Sequence, residues 1–168
     1  MALRGRDSIK RVGLVGGGVI GTGWTIRALA HGLDVSITDP APGAEERLRE
    51  NITTIWPTME QKGLSAGASP DRVTFAASIE EAVSQADFVQ ENVPEREEVK
   101  IAVFKEISQH CPDNTVIASS SSGLLPSRIQ SETTNPERVV IGHPFSPLYL
   151  LPLVEVMGGE KTSEEAKR

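Results

Sequence analysis

Six residues near the N-terminus, Gly16-Gly17-Gly18-Val19-Ile20-Gly21, restrict what this chain can become more than any other segment. They match the spacing G-x-G-x-x-G. They sit between an apolar run, Arg11 to Val15, and a helical stretch, Val19 to His31, that ends at Gly32. A second apolar run, Asp34 to Thr38, stops at Asp39-Pro40, which places an acid 18 positions after Gly21. Strand, glycine turn, helix, strand and terminal acid in that order mark a βαβ unit that binds a dinucleotide. The mechanics assign a task to each residue. Gly16 permits the tight turn, Gly17 and Gly18 let the backbone approach a pyrophosphate, and Gly21 lets helix and strand pack closely. Val19 and Ile20 open the helix, whose free N–H groups and positive dipole end face the phosphates. Asp39 accepts hydrogen bonds from ribose hydroxyls and repels a 2′-phosphate, and no arginine follows it, so the expected cofactor is NAD rather than NADP.

The rest of the chain repeats the alternation. Short β-branched runs at 72–75, 87–91, 115–118 and 139–143 are separated by helical stretches at 44–62, 78–85 and 95–110, with a short helix opened by Pro126. Leu153 to Val156 is a further strand candidate. Alternating strands and helices imply an α/β fold, here a Rossmann-type, doubly wound, mostly parallel sheet with helices on both faces. Pro57 is expected to end or kink the 44–62 helix, and Pro94 to open the 95–110 helix. One domain over 1–168 accounts for the length. Lys161 to Arg168 reads as the capped first turn of a helix that then stops, so the chain is expected to be truncated before a further domain.

Composition excludes several classes. A net charge of −6 and the lack of a basic stripe argue against nucleic acid and anionic membrane as partners. No apolar run approaches the roughly 20 residues of a membrane span. Met1 to Ser8 has no apolar core of a secretory signal. Cys111 is the single cysteine, which precludes an internal disulfide and fits a reducing cytoplasm. Its place beside Pro112 at a helix end marks it as structural. No metal-ligand spacing occurs.

Oxidising an alcohol requires a base to take the hydroxyl proton, and histidine suits this near neutral pH. Of the three histidines, His31 and His110 end helices, where histidine usually complements the dipole. His143 ends a strand, and open α/β sheets bind ligands beyond the carboxyl ends of their strands. Glu155 lies inside the apolar stretch Leu150 to Met157, where an unpaired acid would be costly to bury. Pairing with His143 would orient the ring and stabilise its protonated form; the alternative is an acid facing solvent from an edge strand. The loop Ser119 to Ser122 also leaves a strand's carboxyl end and could present a hydroxyl to the reacting oxygen.

Taken in order, Gly16–Gly21, Asp39, Asp87 to Glu95, Ser119 to Leu124, and His143-Pro144-Phe145-Ser146-Pro147 through Glu155 resemble the NAD-binding domain of the 3-hydroxyacyl-CoA dehydrogenase family. The resemblance covers nearly the whole chain. It implies His143 as catalytic base, Glu155 as its partner, and Ser122 as the hydroxyl that contacts substrate and nicotinamide. It implies Glu95 and Lys100 as contacts on the nicotinamide side. It further implies a C-terminal helical domain carrying a homodimer interface. Segments 24–32, 119–127 and 149–155 resemble the members that oxidise L-carnitine, with those that oxidise L-gulonate next.

Two departures bear on the substrate. The family's asparagine in His-x-x-Asn-Pro is Ser146, which presents no amide. The helix after the second strand sets Glu45, Glu46 and Glu50 against Arg47 and Arg49, a poor surface for polyanionic CoA, so a small free hydroxy acid is expected. A quaternary ammonium is held by aromatic faces, and Phe145 and Tyr149 are the candidates beside His143. A reading from another class is a cofactor-binding or structural module without turnover, which the suspected truncation makes room for.

Overall fold

The computed structural model describes residues 2–168. Seven strands form one sheet in the order β3-β2-β1-β4-β5-β6-β7. These are β1 (Arg11–Val15), β2 (Asp34–Thr38), β3 (Val73–Phe75), β4 (Phe88–Glu91), β5 (Val116–Ser119), β6 (Val139–Pro144) and β7 (Val154–Gly158). The first six run parallel, and β7 returns antiparallel to β6. From β1 the chain winds outward one way through β2 and β3, then crosses back to β4 and winds the other way. The crevice for a ligand therefore opens where β1 and β4 diverge.

Helices cover both faces: α1 (Val19–Ala30), α2 (Ala44–Lys62), α3 (Ile79–Val83), α4 (Glu97–His110) and α5 (Pro126–Ile129). Leu14, Ile26, Leu29, Ile37, Leu48, Ile52 and Trp56 make the core beneath α1 and α2. Val89, Phe104, Ile107, Ile117, Ile129 and Ile141 make the core on the other face. Each fully buried side chain of this size contributes about 1.5–3 kcal/mol by leaving water. The central strands are mostly apolar for that reason, and β4 departs from it with buried Gln90 and Glu91. Among the described residues no helix is long and apolar enough to cross a membrane.

Two expectations are corrected, both at prolines, and one alternative is decided. Pro57 does not end α2, which runs on to Lys62. The proline stands on the exposed face, so water can replace the hydrogen bond it removes, while Leu48, Ile52, Trp56 and Met59 hold the helix to the core on both sides of it. Pro94 does not open α4, which begins at Glu97. Arg96 N donates to the Pro94 carbonyl at 2.7 Å, a turn that leaves Glu95 outside the helix. The stretch around Glu155 is not buried: every side chain from Leu151 to Met157 is exposed, because β7 is an edge strand with a single neighbour. At the end of the chain, residues 164–167 form a turn, in which Ser163 Oγ accepts from Ala166 N at 3.2 Å.

Candidate active site

The glycine turn has the shape its spacing predicts. Gly16 lies at φ +98°, a left-handed conformation that disfavours any side chain, and a Cβ there would strike the Asn92 carbonyl. A Cβ on Gly21 would overlap the Gly16 carbonyl, so α1 can approach β1 only with glycine. Gly18 differs, since a Cβ there would meet nothing within 4 Å. The space in front of it is open, the first turn of α1 holds no acid, and no side chain caps it. Asp39 Oδ2 accepts from Gly17 N at 2.7 Å and Oδ1 from Ala41 N at 2.8 Å, which ties the turn to the end of β2. Each oxygen keeps a second lone pair for another donor.

Gly16, Gly18, Thr38 and Asp39 line a cleft of about 740 Å³, to which Ala41, Ile79, Val99 and Val103 add apolar surface. An anion-receptive helix end, a carboxylate tied to the glycine turn, and apolar lining for a flat base fit NAD. Val19 turns away from this cleft to line a smaller one of about 220 Å³.

At the far end of the sheet edge, β6 and β7 pair with His143 directly opposite Glu155. Cross-strand partners project to the same face, and His143 Nδ1 lies 3.1 Å from Glu155 Oε2. A carboxylate at Nδ1 fixes the proton there, leaving the Nε2 lone pair to act as a base. Both alternatives for Glu155 hold at once: it is an exposed edge-strand acid and it pairs with the histidine. The Phe145 ring is 5.7 Å from the imidazole at an interplanar angle of 57°, and it is exposed.

Between these two ends the four serines take four positions. Ser119 is buried in β5 and donates to Glu91 Oε2 at 2.5 Å. Ser120 accepts from Trp24 Nε1 and Gln90 Nε2 and donates to Asn92 Oδ1. Ser121 donates to Glu95 Oε1 at 2.6 Å. Ser122 is exposed, gives its N–H to the same Glu95 oxygen at 3.0 Å, and its hydroxyl has no partner among the described residues. Gly123 N is the third donor to that oxygen, also at 3.0 Å. Partial burial works against the charge of Glu95, but the Ser121 hydroxyl, the Gly123 amide, nearby Lys100 and the Ser122 amide together hold its carboxyl below the ordinary range.

Lys100 is placed behind Glu95 rather than in the open cleft. Its Nζ donates to Glu91 Oε1 at 2.7 Å and to the Val93 carbonyl at 3.1 Å, with side-chain exposures of 1% for Lys100 and 0% for Glu91. Glu95 Oε2 is 3.6 Å away. Ser146 and Tyr149 line the smaller cleft with Val19 and Ile55, so of the two aromatics expected beside His143 only Phe145 packs near its ring. Cys111 is buried, and burial pushes its thiol up, away from the reactive thiolate.

The polar side chains given no role from the sequence are Gln90, Glu91, Asn92 and the Trp24 indole N–H. Gln90 reaches from β4 to the Gly142 carbonyl at 3.1 Å, one residue before His143. Two adjacent polar residues, Gln90 and Glu91, in a central parallel strand were the available signal, since such strands are normally apolar throughout.

A glycine turn on a strand–helix junction, an acid closing β2, and a histidine–carboxylate pair at the same sheet edge define a dinucleotide-dependent dehydrogenase domain. The model for the 3-hydroxyacyl-CoA dehydrogenase NAD-binding domain matches residues 11–168, and the chain belongs to that family. It is 54% identical over 158 residues to an L-carnitine dehydrogenase of Pseudomonas putida, covering 94% of this chain and 49% of that protein. An L-carnitine dehydrogenase of Bacillus cereus is 53% identical over 161 residues, covering 96% and 49%. Among solved structures, 3-hydroxybutyryl-CoA dehydrogenase of Escherichia coli K12 superposes with a TM-score of 0.86 at 31% identity, covering 95% of this chain and 34% of that one. The chain thus spans about half the length of the curated relatives it matches.

Proposed function

We propose that the full-length protein oxidises the 3-hydroxyl of a small hydroxy acid with NAD, and that the substrate is L-carnitine. The observation that carries the chemistry is the His143 Nδ1–Glu155 contact of 3.1 Å, which leaves Nε2 free to take a hydroxyl proton. NAD supplies the electron-pair acceptor, bound at Gly16–Gly21 and Asp39. Glu155 then faces an imidazolium and stabilises it, as a carboxylate does in a catalytic triad. Ser122, with its hydroxyl uncommitted, donates a hydrogen bond to the reacting oxygen. Glu95 fixes the loop that presents Ser122 and borders the nicotinamide side.

Three observations favour carnitine over an acyl-CoA. The L-carnitine dehydrogenases are above 50% identical to this chain, against 31% for the 3-hydroxybutyryl-CoA enzyme. The exposed face of Phe145 stands beside the base, where a quaternary ammonium would gain about 0.5–2 kcal/mol from an aromatic ring. On α2, Glu45, Glu46 and Glu50 outnumber Arg47 and Arg49, and Arg49 is paired with Glu45 at 2.7 Å, so the helix offers a polyanionic CoA little net attraction.

The apolar exposed face of β7 and the relatives' double length support a C-terminal helical domain that covers this edge, closes the site and carries a homodimer interface. The single cysteine, reduced and buried, supports a cytoplasmic protein. The test is NAD reduction by the full-length protein with L-carnitine, L-gulonate and 3-hydroxybutyryl-CoA side by side. Preference for L-carnitine is expected. Turnover with the acyl-CoA alone would overturn the substrate assignment while leaving the dyad in place.

A further inference from the structure

Beneath the serine loop lies a line of three charges: Glu91, Lys100 and Glu95. Glu91 and Lys100 are sealed in the core at 2.7 Å, while Glu95 is half outside, with Oε2 3.6 Å from Lys100. Lys100 has three protons to donate. Two reach Glu91 Oε1 and the Val93 carbonyl, and the other carboxylate near the ammonium is Glu95, at 3.6 Å. Glu95 spends its other oxygen, Oε1, on Ser121 Oγ, Ser122 N and Gly123 N. One carboxylate therefore stands between a buried cation and the loop that presents Ser122.

We propose that Glu91 is a positioning residue: by neutralising Lys100 inside the core, it leaves Glu95 free to hold the serine loop and so to place Ser122. The importance of Ser122 rests on the function proposed above; the geometry of the loop does not. A buried cation that loses its carboxylate seeks the nearest other one. With Glu91 neutral, that is Glu95. Drawing Glu95 onto Lys100 pulls Oε1 from its three donors and releases residues 121–123. Removing Lys100 instead has no such effect, because a buried carboxyl can take up a proton. Burial already pushes Glu91 up from its ordinary value, against Lys100 and Ser119. The Ser119 and Val93 contacts then persist around a neutral acid.

This asymmetry distinguishes positioning from simple packing, which would make the two partners equivalent. The measurement is hydrogen exchange at the Ser122 and Gly123 amides of the full-length protein, with the β2 amides as internal reference. In Glu91→Gln, exchange at 122 and 123 is expected to rise about tenfold, the worth of one hydrogen bond to a carboxylate, with β2 unchanged. In Lys100→Met it is expected to stay near the parent's, and in the double variant E91Q/K100M to return toward it. Unchanged exchange in Glu91→Gln, or equal loosening in Lys100→Met, would overturn the proposal. If Glu91→Gln does not fold, a folded double variant with a protected loop supports the proposal, and an unfolded double variant overturns it. No substrate enters the measurement, so a failed carnitine assay and a failed positioning role give separate results.

Discussion

The molecule contains two acid–base pairs of similar length and opposite circumstance. Glu91 and Lys100 meet at 2.7 Å with side-chain exposures of 0% and 1%. His143 and Glu155 meet at 3.1 Å with exposures of 27% and 58%. The buried pair is held by three further hydrogen bonds, from Ser119 Oγ and Val93 N to Glu91 and from Lys100 Nζ to the Val93 carbonyl, and is closed to solvent. Such a pair is costly to break because the partner left behind is an uncompensated charge. The exposed pair adds little to stability, since water screens it, but its histidine can accept a proton from a bound molecule. Burial turns an acid–base pair into framework, and exposure makes the same chemistry available for reaction.

The largest test of that contrast is on the exposed side. His143→Gln should lower turnover by about 10³–10⁴-fold, the upper range for a general base, while NAD affinity measured by titration stays within roughly twofold. Undiminished turnover would remove His143 from the mechanism. Stability should show the reverse ordering. Glu91→Ala is expected to lower the unfolding free energy by about 3–5 kcal/mol, and Glu155→Ala by less than about 1 kcal/mol. Denaturant titrations in which the two lose equal amounts would break the comparison. The smallest effect concerns Glu95, intermediate between the pairs. Its carboxyl titrates below the ordinary value, so the stability it lends the loop is present above pH 4.5 and is lost as pH falls through its lowered value. Exchange at Gly123 should accelerate only in that acid range; acceleration already at neutral pH would mean that Glu95 does not hold the loop.

The exposed pair was legible before any coordinates, and the buried one was not. His143 and Glu155 each stood out locally, one at a strand end and the other as a lone acid among apolar residues. Glu91 and Lys100 are nine positions apart, across a strand end, a turn and the start of a helix, and no period of either element links them. The doubly wound, mostly parallel sheet followed from the alternation, and β2 and α2 fall on the residues expected. Pro57 misled because propensity says nothing about which side of a helix is wet. Four identical serines in a row could not be told apart, since their different fates depend on partners from β4 and α1.

The pairing of β7 with β6 has a consequence for how this domain can vary. Glu155 reaches the histidine through strand register: His143 faces Glu155, with Val154 and Val156 on either side. A slip of one residue would turn Glu155 to the opposite face of the sheet and present a valine to the imidazole. As far as the pairing is concerned, the connection between the two strands can change in length, provided that β7 docks in the same frame. For this pair, variation is therefore quantised: a change in loop length that preserves the register keeps His143 facing Glu155, and a one-residue slip separates them without altering either residue.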